Sequence, residues 1–253
     1  MRLKGKVSIV TGAAAGLGAA VASRFAREGS SVVAADIDES TGAALVEQIR
    51  GNGFEAAFVC ADVSSEDSVR TLVEAALARH GRIDVLYNNA AILLAGRDLP
   101  AHEMDIETWD RILAVNLRGP FLCARQVLPT MLRQGSGCIV NTGSRTGLFG
   151  CAPNLTAYST SKAGVIGLTR AMAAAYAGNN IRVNAIVPGT MDTPMNRYLL
   201  ADPAARERYR SAVPLGRLGT GEDIEGLAVF LASDESAYCT GGVFMCDGGT
   251  TAV

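Results

Sequence analysis

The stretch Val7-Ser-Ile-Val-Thr11-Gly12-Ala-Ala-Ala-Gly16-Leu17-Gly18-Ala-Ala decides the fold. A short β-rich run enters a glycine turn and leaves it as an alanine-rich helix, the pattern of a strand–turn–helix unit. Glycines there let the backbone bend sharply and come close to a diphosphate, which the positive end of the following helix attracts. The next strand candidate, Ser31–Asp36, ends on a carboxylate. From that position a carboxylate accepts hydrogen bonds from the ribose hydroxyls of an adenosine. The glycine spacing is G-x-x-x-G-x-G, not G-x-G-x-x-G. Dinucleotide binding is the expectation, with a helix-capping role for Asp36 as the plain alternative.

Working outward, short apolar runs alternate with helical stretches. Strands are expected at Val7–Val10, Ser31–Asp36, Glu55–Cys60, Ile83–Asn88, Cys138–Thr142, Arg182–Val187 and Val243–Cys246. Helices are expected at Gly16–Glu28, Ser40–Arg50, Glu66–His80, Glu107–Gln134, Ala157–Ala177 and Gly221–Ala232. Strand interiors such as Ser31-Val-Val-Ala-Ala lack strict polar alternation, as when helices cover both faces of a parallel sheet. The rhythm predicts one doubly wound Rossmann-type α/β domain over residues 1–253, with a seven-stranded parallel sheet. Only Thr190–Gly219 breaks it, following Pro188-Gly189 and carrying Pro194, Pro203 and Pro214. A long excursion after a strand end reads as a substrate lid, or else as a surface helical hairpin.

Composition excludes several classes. Hydrophobic residues make up 49% and charged residues 19% of 253, which rules out a disordered chain. The net charge is −2 with both signs interspersed, so no nucleic acid or anionic membrane is expected as a partner. No run approaches the roughly 20 apolar residues of a membrane span. Met1-Arg-Leu-Lys-Gly-Lys leads directly into Val7–Val10 without a secretory pattern, so a cytoplasmic location is expected. Cys60, Cys123, Cys138, Cys151, Cys239 and Cys246 show no C-x-x-C spacing, and His80 and His102 stand apart. These residues read as structural, with no metal site.

Tyr158 and Lys162 occur as Tyr-Ser-Thr-Ser-Lys, one helical turn apart on one face. A free phenol has a pKa near 10 and is a poor base, and a nearby ammonium lowers it by about 1–3 units. Such a tyrosine accepts an alcohol proton while hydride leaves the carbon. Ser144 stands just past the strand Cys138–Thr142, at the carboxyl edge of the sheet where ligands bind, and Asn116 is a polar residue within an amphipathic helix.

With these residues the chain resembles the short-chain dehydrogenase/reductase family over essentially its full length. The motifs that carry the resemblance are Thr11–Gly18, Asp62-Val63, Asn88-Asn89-Ala90, Asn116, Ser144, Tyr158-x-x-x-Lys162, Pro188-Gly189 with Thr193, and Asp247-Gly248-Gly249. Ala91 departs from it, standing where the family usually has Gly. The resemblance implies Tyr158 as general acid/base and Ser144 as the group orienting the substrate oxygen. It implies that Lys162 lowers the tyrosine pKa and holds the nicotinamide ribose, and that Asn116 holds a water leading from Lys162 to solvent. Gly12, Gly16, Leu17 and Gly18 would hold the diphosphate, Asp36 the adenosine ribose, and Asp62 and Val63 the adenine. Asn89 and Ala90 would contact the cofactor ribose, and Pro188, Gly189, Met191 and Thr193 the nicotinamide side. The expected function is NAD-dependent interconversion of a small secondary alcohol and a ketone by a homotetramer, with helices Glu107–Gln134 and Ala157–Ala177 at the interfaces. The alternatives are an NADPH-dependent 3-oxoacyl reductase and a non-catalytic cofactor-binding scaffold.

Overall fold

The computed structural model describes residues 1–149 and 153–252. Seven strands pair in the order β3-β2-β1-β4-β5-β6-β7. They are β1 (Val7–Thr11), β2 (Ser31–Asp36), β3 (Ala56–Cys60), β4 (Val85–Asn88), β5 (Gly137–Thr142), β6 (Ile181–Pro188) and β7 (Val243–Cys246). Every pairing is parallel. The helices are α1 (Gly16–Arg27), α2 (Glu39–Gly51), α3 (Glu66–His80), α4 (Ile106–Leu113), α5 (Gly119–Gln134), α6 (Thr146–Phe149), α7 (Thr156–Tyr176), α8 (Pro203–Ser211) and α9 (Gly221–Ala232).

All five residues of β1 are buried, because each face of the strand meets its own layer of helices. Val10, Ala34, Tyr87 and Val140 face a core built with α1, α2 and α9. Their neighbours Ile9, Val33, Leu86 and Ile139 face a second core built with α3, α5 and α7. The register Val33–Ile9–Leu86–Ile139 runs straight across four strands. A one-residue slip would exchange the two apolar rows, so the pairing is specified from both sides. This is the expected Rossmann-type sheet.

β1 pairs with β2 on one side and β4 on the other, so the strand order reverses there. That reversal opens a crevice at the carboxyl ends of the strands, the general ligand position of open α/β sheets. Asp38, not Asp36, caps α2, accepting from Thr41 N at 3.0 Å. The carboxylate of Asp36 is thereby left to face the crevice.

The expected helix Glu107–Gln134 is three pieces. Between α4 and α5 lies a π-helical turn, Ala114–Arg118, in which Gly119 N bonds Ala114 O, five residues back. Pro120 follows at the start of α5 and lacks the N–H that a continuous α-helix would use there. The extra residue in the turn leaves Asn116 fully buried. In Thr190–Gly219 the chain forms a 3₁₀ turn, Pro194–Asn196, and α8, whose N-terminus Asp202 caps. The base of the excursion is closed by Asp192 N donating to Gly219 O and Gly219 N to Thr190 O, at 2.7 and 3.1 Å.

Candidate active site

The crevice is a cavity of about 460 Å³ running from the glycine turn past Asp36 and Asp62 to Ser144, Tyr158 and Lys162. At its first end, Gly12 has φ +64°, and a Cβ there would stand 2.7 Å from Ala90 Cα. A Cβ on Gly18 would stand 2.0 Å from Gly12 O, so only glycine closes this turn. Thr11 Oγ1 accepts from the backbone N–H groups of Asn89 and Ala90 at 3.1 and 3.2 Å. Asn89 Nδ2 returns a bond to Gly12 O at 3.0 Å. Thr11 and Asn89 thus lock the turn to the end of β4.

Asp36 accepts from Ala14 N at 2.9 Å and Asp38 N at 3.0 Å, which fixes its carboxylate beside the turn. Burial opposes the ionisation of Asp62, but two hydrogen bonds from Ser64 hold its carboxyl below the usual range. Leu17, Val63, Pro188, Gly189, Met191 and Thr193 also line the cavity. Gly18 lies behind the wall as a close-packing position. Ala91, the departure from the family pattern, lines the cavity without a close glycine-like conformation being required of it.

At the other end, α7 carries Tyr158 and Lys162. The Lys162 ammonium is buried, donates to Thr142 O at 2.8 Å and lies 5.8 Å from the centre of the Tyr158 ring. Burial pushes the Tyr158 phenol up to about 12, partly countered by its hydrogen bond to Ser144. Burial also brings Lys162 down to about 8. In the protein alone the phenol is therefore not yet a base at neutral pH, contrary to a simple reading of the Tyr–Lys spacing. Ser144 Oγ is held 3.0 Å from Thr146 Oγ1.

Asn116 does not line the cavity. Its Oδ1 accepts from Ile92 N at 2.8 Å, and its Nδ2 donates to Ile92 O at 2.9 Å and Ser161 Oγ at 3.3 Å. It clamps the loop after β4 against α7.

Sequence reasoning missed Asp98. It is fully buried, and its two carboxylate oxygens accept from Ala157 N and Tyr158 N, both at 2.9 Å. A carboxylate at a helix N-terminus satisfies orphan donors and is stabilised by the positive end of the helix dipole. Here it anchors the turn that carries Tyr158. No spacing signal connects a loop aspartate to a helix 60 residues on. Asp98→Ala is expected to lower stability by about 1–3 kcal/mol, since two buried N–H groups lose their acceptor. Urea denaturation checks this, and an unchanged midpoint would mean that the cap contributes nothing.

Among the described residues no three His, Cys, Asp or Glu side chains converge as a metal site. His80 Nδ1 lies 3.7 Å from Glu55, and His102 is exposed beside Glu103. Cys123 and Cys138 are buried core residues, while Cys151 lies outside the described residues. No helix among the described residues is long and apolar enough to cross a membrane.

A family model described as enoyl-(acyl carrier protein) reductase matches residues 12–251. A 3-oxoacyl-[acyl-carrier-protein] reductase of Thermotoga maritima is 44% identical over 98% of this chain and 99% of its own. The chain belongs to the short-chain dehydrogenase/reductase family. A cis-4-hydroxycyclohexanecarboxylate dehydrogenase of Sinomonas cyclohexanicum is 42% identical over 98% of this chain and 97% of its own. Among solved structures, a putative NAD(P)-dependent gluconate 5-dehydrogenase of Beutenbergia cavernae with bound NADP superposes with a TM-score of 0.92. It is 38% identical and covers 99% of this chain and 98% of its own. This short-chain dehydrogenase/reductase is accordingly an oxidoreductase acting on hydroxyl groups, with a nicotinamide cofactor and a small-molecule substrate. The groove fits that cofactor, because the Gly12–Gly18 turn is a cradle that side chains would fill and Asp36 stands beside it.

Proposed function

We propose that this enzyme interconverts a secondary alcohol and a ketone with NAD as its cofactor, using Tyr158 as acid/base. The observation that carries the reading is a single cavity with Asp36 near one end and Ser144, Tyr158 and Lys162 at the other. When bound, the nicotinamide ring supplies the hydride acceptor. Gly12, Gly16 and Leu17 hold the diphosphate, with Gly18 supporting the turn from behind, and Asp36 takes the adenosine ribose. Asp62 and Val63 flank the adenine, Asn89 and Ala90 the second ribose, and Pro188, Gly189, Met191 and Thr193 the carboxamide side. Ser144 donates a hydrogen bond to the substrate oxygen, and the Tyr158 oxygen takes its proton. Lys162 keeps its charge at neutral pH, since its pKa is about 8, and so favours the phenolate. Asn116 holds the wall behind Lys162, where a water leads to solvent. Residues 190–219 act as the substrate lid of a single catalytic domain, in a cytoplasmic homotetramer. The exposed Phe121 and Leu132 on α5 give that assembly an apolar contact face, and light scattering tests it.

The choice of NAD rests on charge. Asp36 is followed by Ile37, Asp38 and Glu39, and Ala15 in the turn offers no cation to a 2′-phosphate. A phosphate there would set negative charge against negative charge and remove a hydroxyl donor from Asp36. Asp36→Ala is expected to weaken NAD binding about tenfold, or about 1.4 kcal/mol, and to leave NADP binding unchanged or improved. Titration of both cofactors by calorimetry measures this. The second reading, an NADPH-dependent 3-oxoacyl reductase, draws support from the 44% identical relative of that name. A screen of cyclic, sugar and hydroxy-acid alcohols with NAD, beside acetoacetyl thioesters with NADPH, separates the two. Absence of turnover with every compound would leave the cofactor-binding scaffold.

A further inference from the structure

Arg145 begins the turn after Ser144 and lines the cavity at the end where Ser144, Tyr158 and Leu155 stand. A guanidinium is charged at every working pH and is expensive to desolvate without a partner. The other cations of this chain obey that rule. Arg2, Arg24 and Arg82 pair with carboxylates, and half-buried Arg182 donates to the carbonyls of Leu231 and Ser233. Cations without such partners, Arg79, Arg118, Arg170 and Arg197 among them, are exposed to solvent. Arg145 alone is partly buried with neither a carboxylate nor a hydrogen-bond acceptor among the described residues. The remaining charges of the cavity lie elsewhere. Asp36, Asp62 and Arg111, which lies close to Asp62, belong to the end expected to hold adenosine, and Lys162 is committed to Thr142 O. The cavity is also lined by Leu93, Leu155, Met191 and Leu199, with Thr146 and Asn196 as uncharged polar groups.

From this we infer that the substrate is an organic anion, a hydroxy or oxo acid whose carboxylate is paired by Arg145 while its carbinol oxygen lies between Ser144 and Tyr158. The inference rests on the dehydrogenase reading above and narrows its substrate class. A planar carboxylate matches the two-donor fork of a guanidinium, and enclosure in the cavity strengthens the pair relative to water. The same contact selects against neutral alcohols of similar shape, which would leave the cation desolvated and unpaired.

Binding separates this inference from turnover. The enzyme saturated with NADH is titrated by calorimetry with cyclohexanecarboxylate, benzoate and butyrate, each against its neutral amide. At least one acid is expected to bind about tenfold more tightly than its amide, equal to about 1.4 kcal/mol. In Arg145→Met, or in Arg145→Gln if the first variant does not fold, that advantage is expected to fall within about threefold, or about 0.7 kcal/mol. Acids that bind no better than their amides, or an advantage that persists in the folded variant, would overturn the assignment. Oxidation of neutral alcohols without any such advantage would keep the dehydrogenase reading and remove this one.

Discussion

Tyr158→Phe is expected to lose about a hundredfold or more of turnover while NADH binding is unchanged. The phenol oxygen is the group placed to exchange a proton with the substrate oxygen, and no diphosphate or adenosine contact is assigned to it. The ring itself remains, so the packing of α7 and the Asp98 cap, which bonds only the backbone of residue 158, should persist. Steady-state rates and fluorescence titration with NADH check the two halves separately. Turnover within about tenfold of the unaltered enzyme would place the proton transfer elsewhere.

The second large effect concerns Lys162. Tyr158 at about 12 and Lys162 at about 8 titrate as a neighbouring pair, so the first proton is lost from the pair near pH 8. Alcohol oxidation draws on the tautomer of the singly protonated pair in which the proton stays on Lys162 and the phenol is ionised. Its rate should therefore rise with pH up to about 8 and level off above, whereas ketone reduction needs the phenol proton and should fall above the same pH. Lys162→Met removes the cation that favours the phenolate, leaving a phenol that burial holds protonated as the only source of base. An opposite charge is worth about 1–3 pKa units, so oxidation at pH 7 should drop by about ten- to a thousandfold. The profile should keep climbing through pH 10 instead of levelling. A levelling near pH 8 that survives in Lys162→Met would assign that titration to another group.

Much of the architecture was legible because the strands are covered on both faces. The continuous apolar run Ser31–Asp36 carries that burial openly and matches the observed strand, and the half-exposed edge strand Val243–Cys246 matches in its bounds as well. The break in Glu107–Gln134 was harder to see, because Pro120 sits where a helix start tolerates proline and the apolar stripe continues through the π turn. α8 was legible only as the alternative of a surface helical hairpin, and its bounds were not, since none of its residues is buried and no apolar period marks it. At the site, the residues with side chains aimed into the groove were readable as motifs. Side-chain bonds to the backbone of distant segments were not. Thr11 and Asp98 work by accepting from N–H groups of distant segments, and their pairing exists only once β1, β4 and α7 are assembled. The electrostatic state of Tyr158 was likewise hidden, because burial acts against the ammonium one turn away and its extent is a property of the folded groove.

The claim of an NAD-dependent alcohol dehydrogenase is tested most directly by comparing the two cofactors in turnover. With the best alcohol of the screen at saturation, reduced nicotinamide is followed by absorbance as NAD and then NADP are varied. A kcat/KM for NAD at least about tenfold above that for NADP is the predicted result, equivalent to about 1.4 kcal/mol of transition-state binding. Equal or higher efficiency with NADP would contradict it.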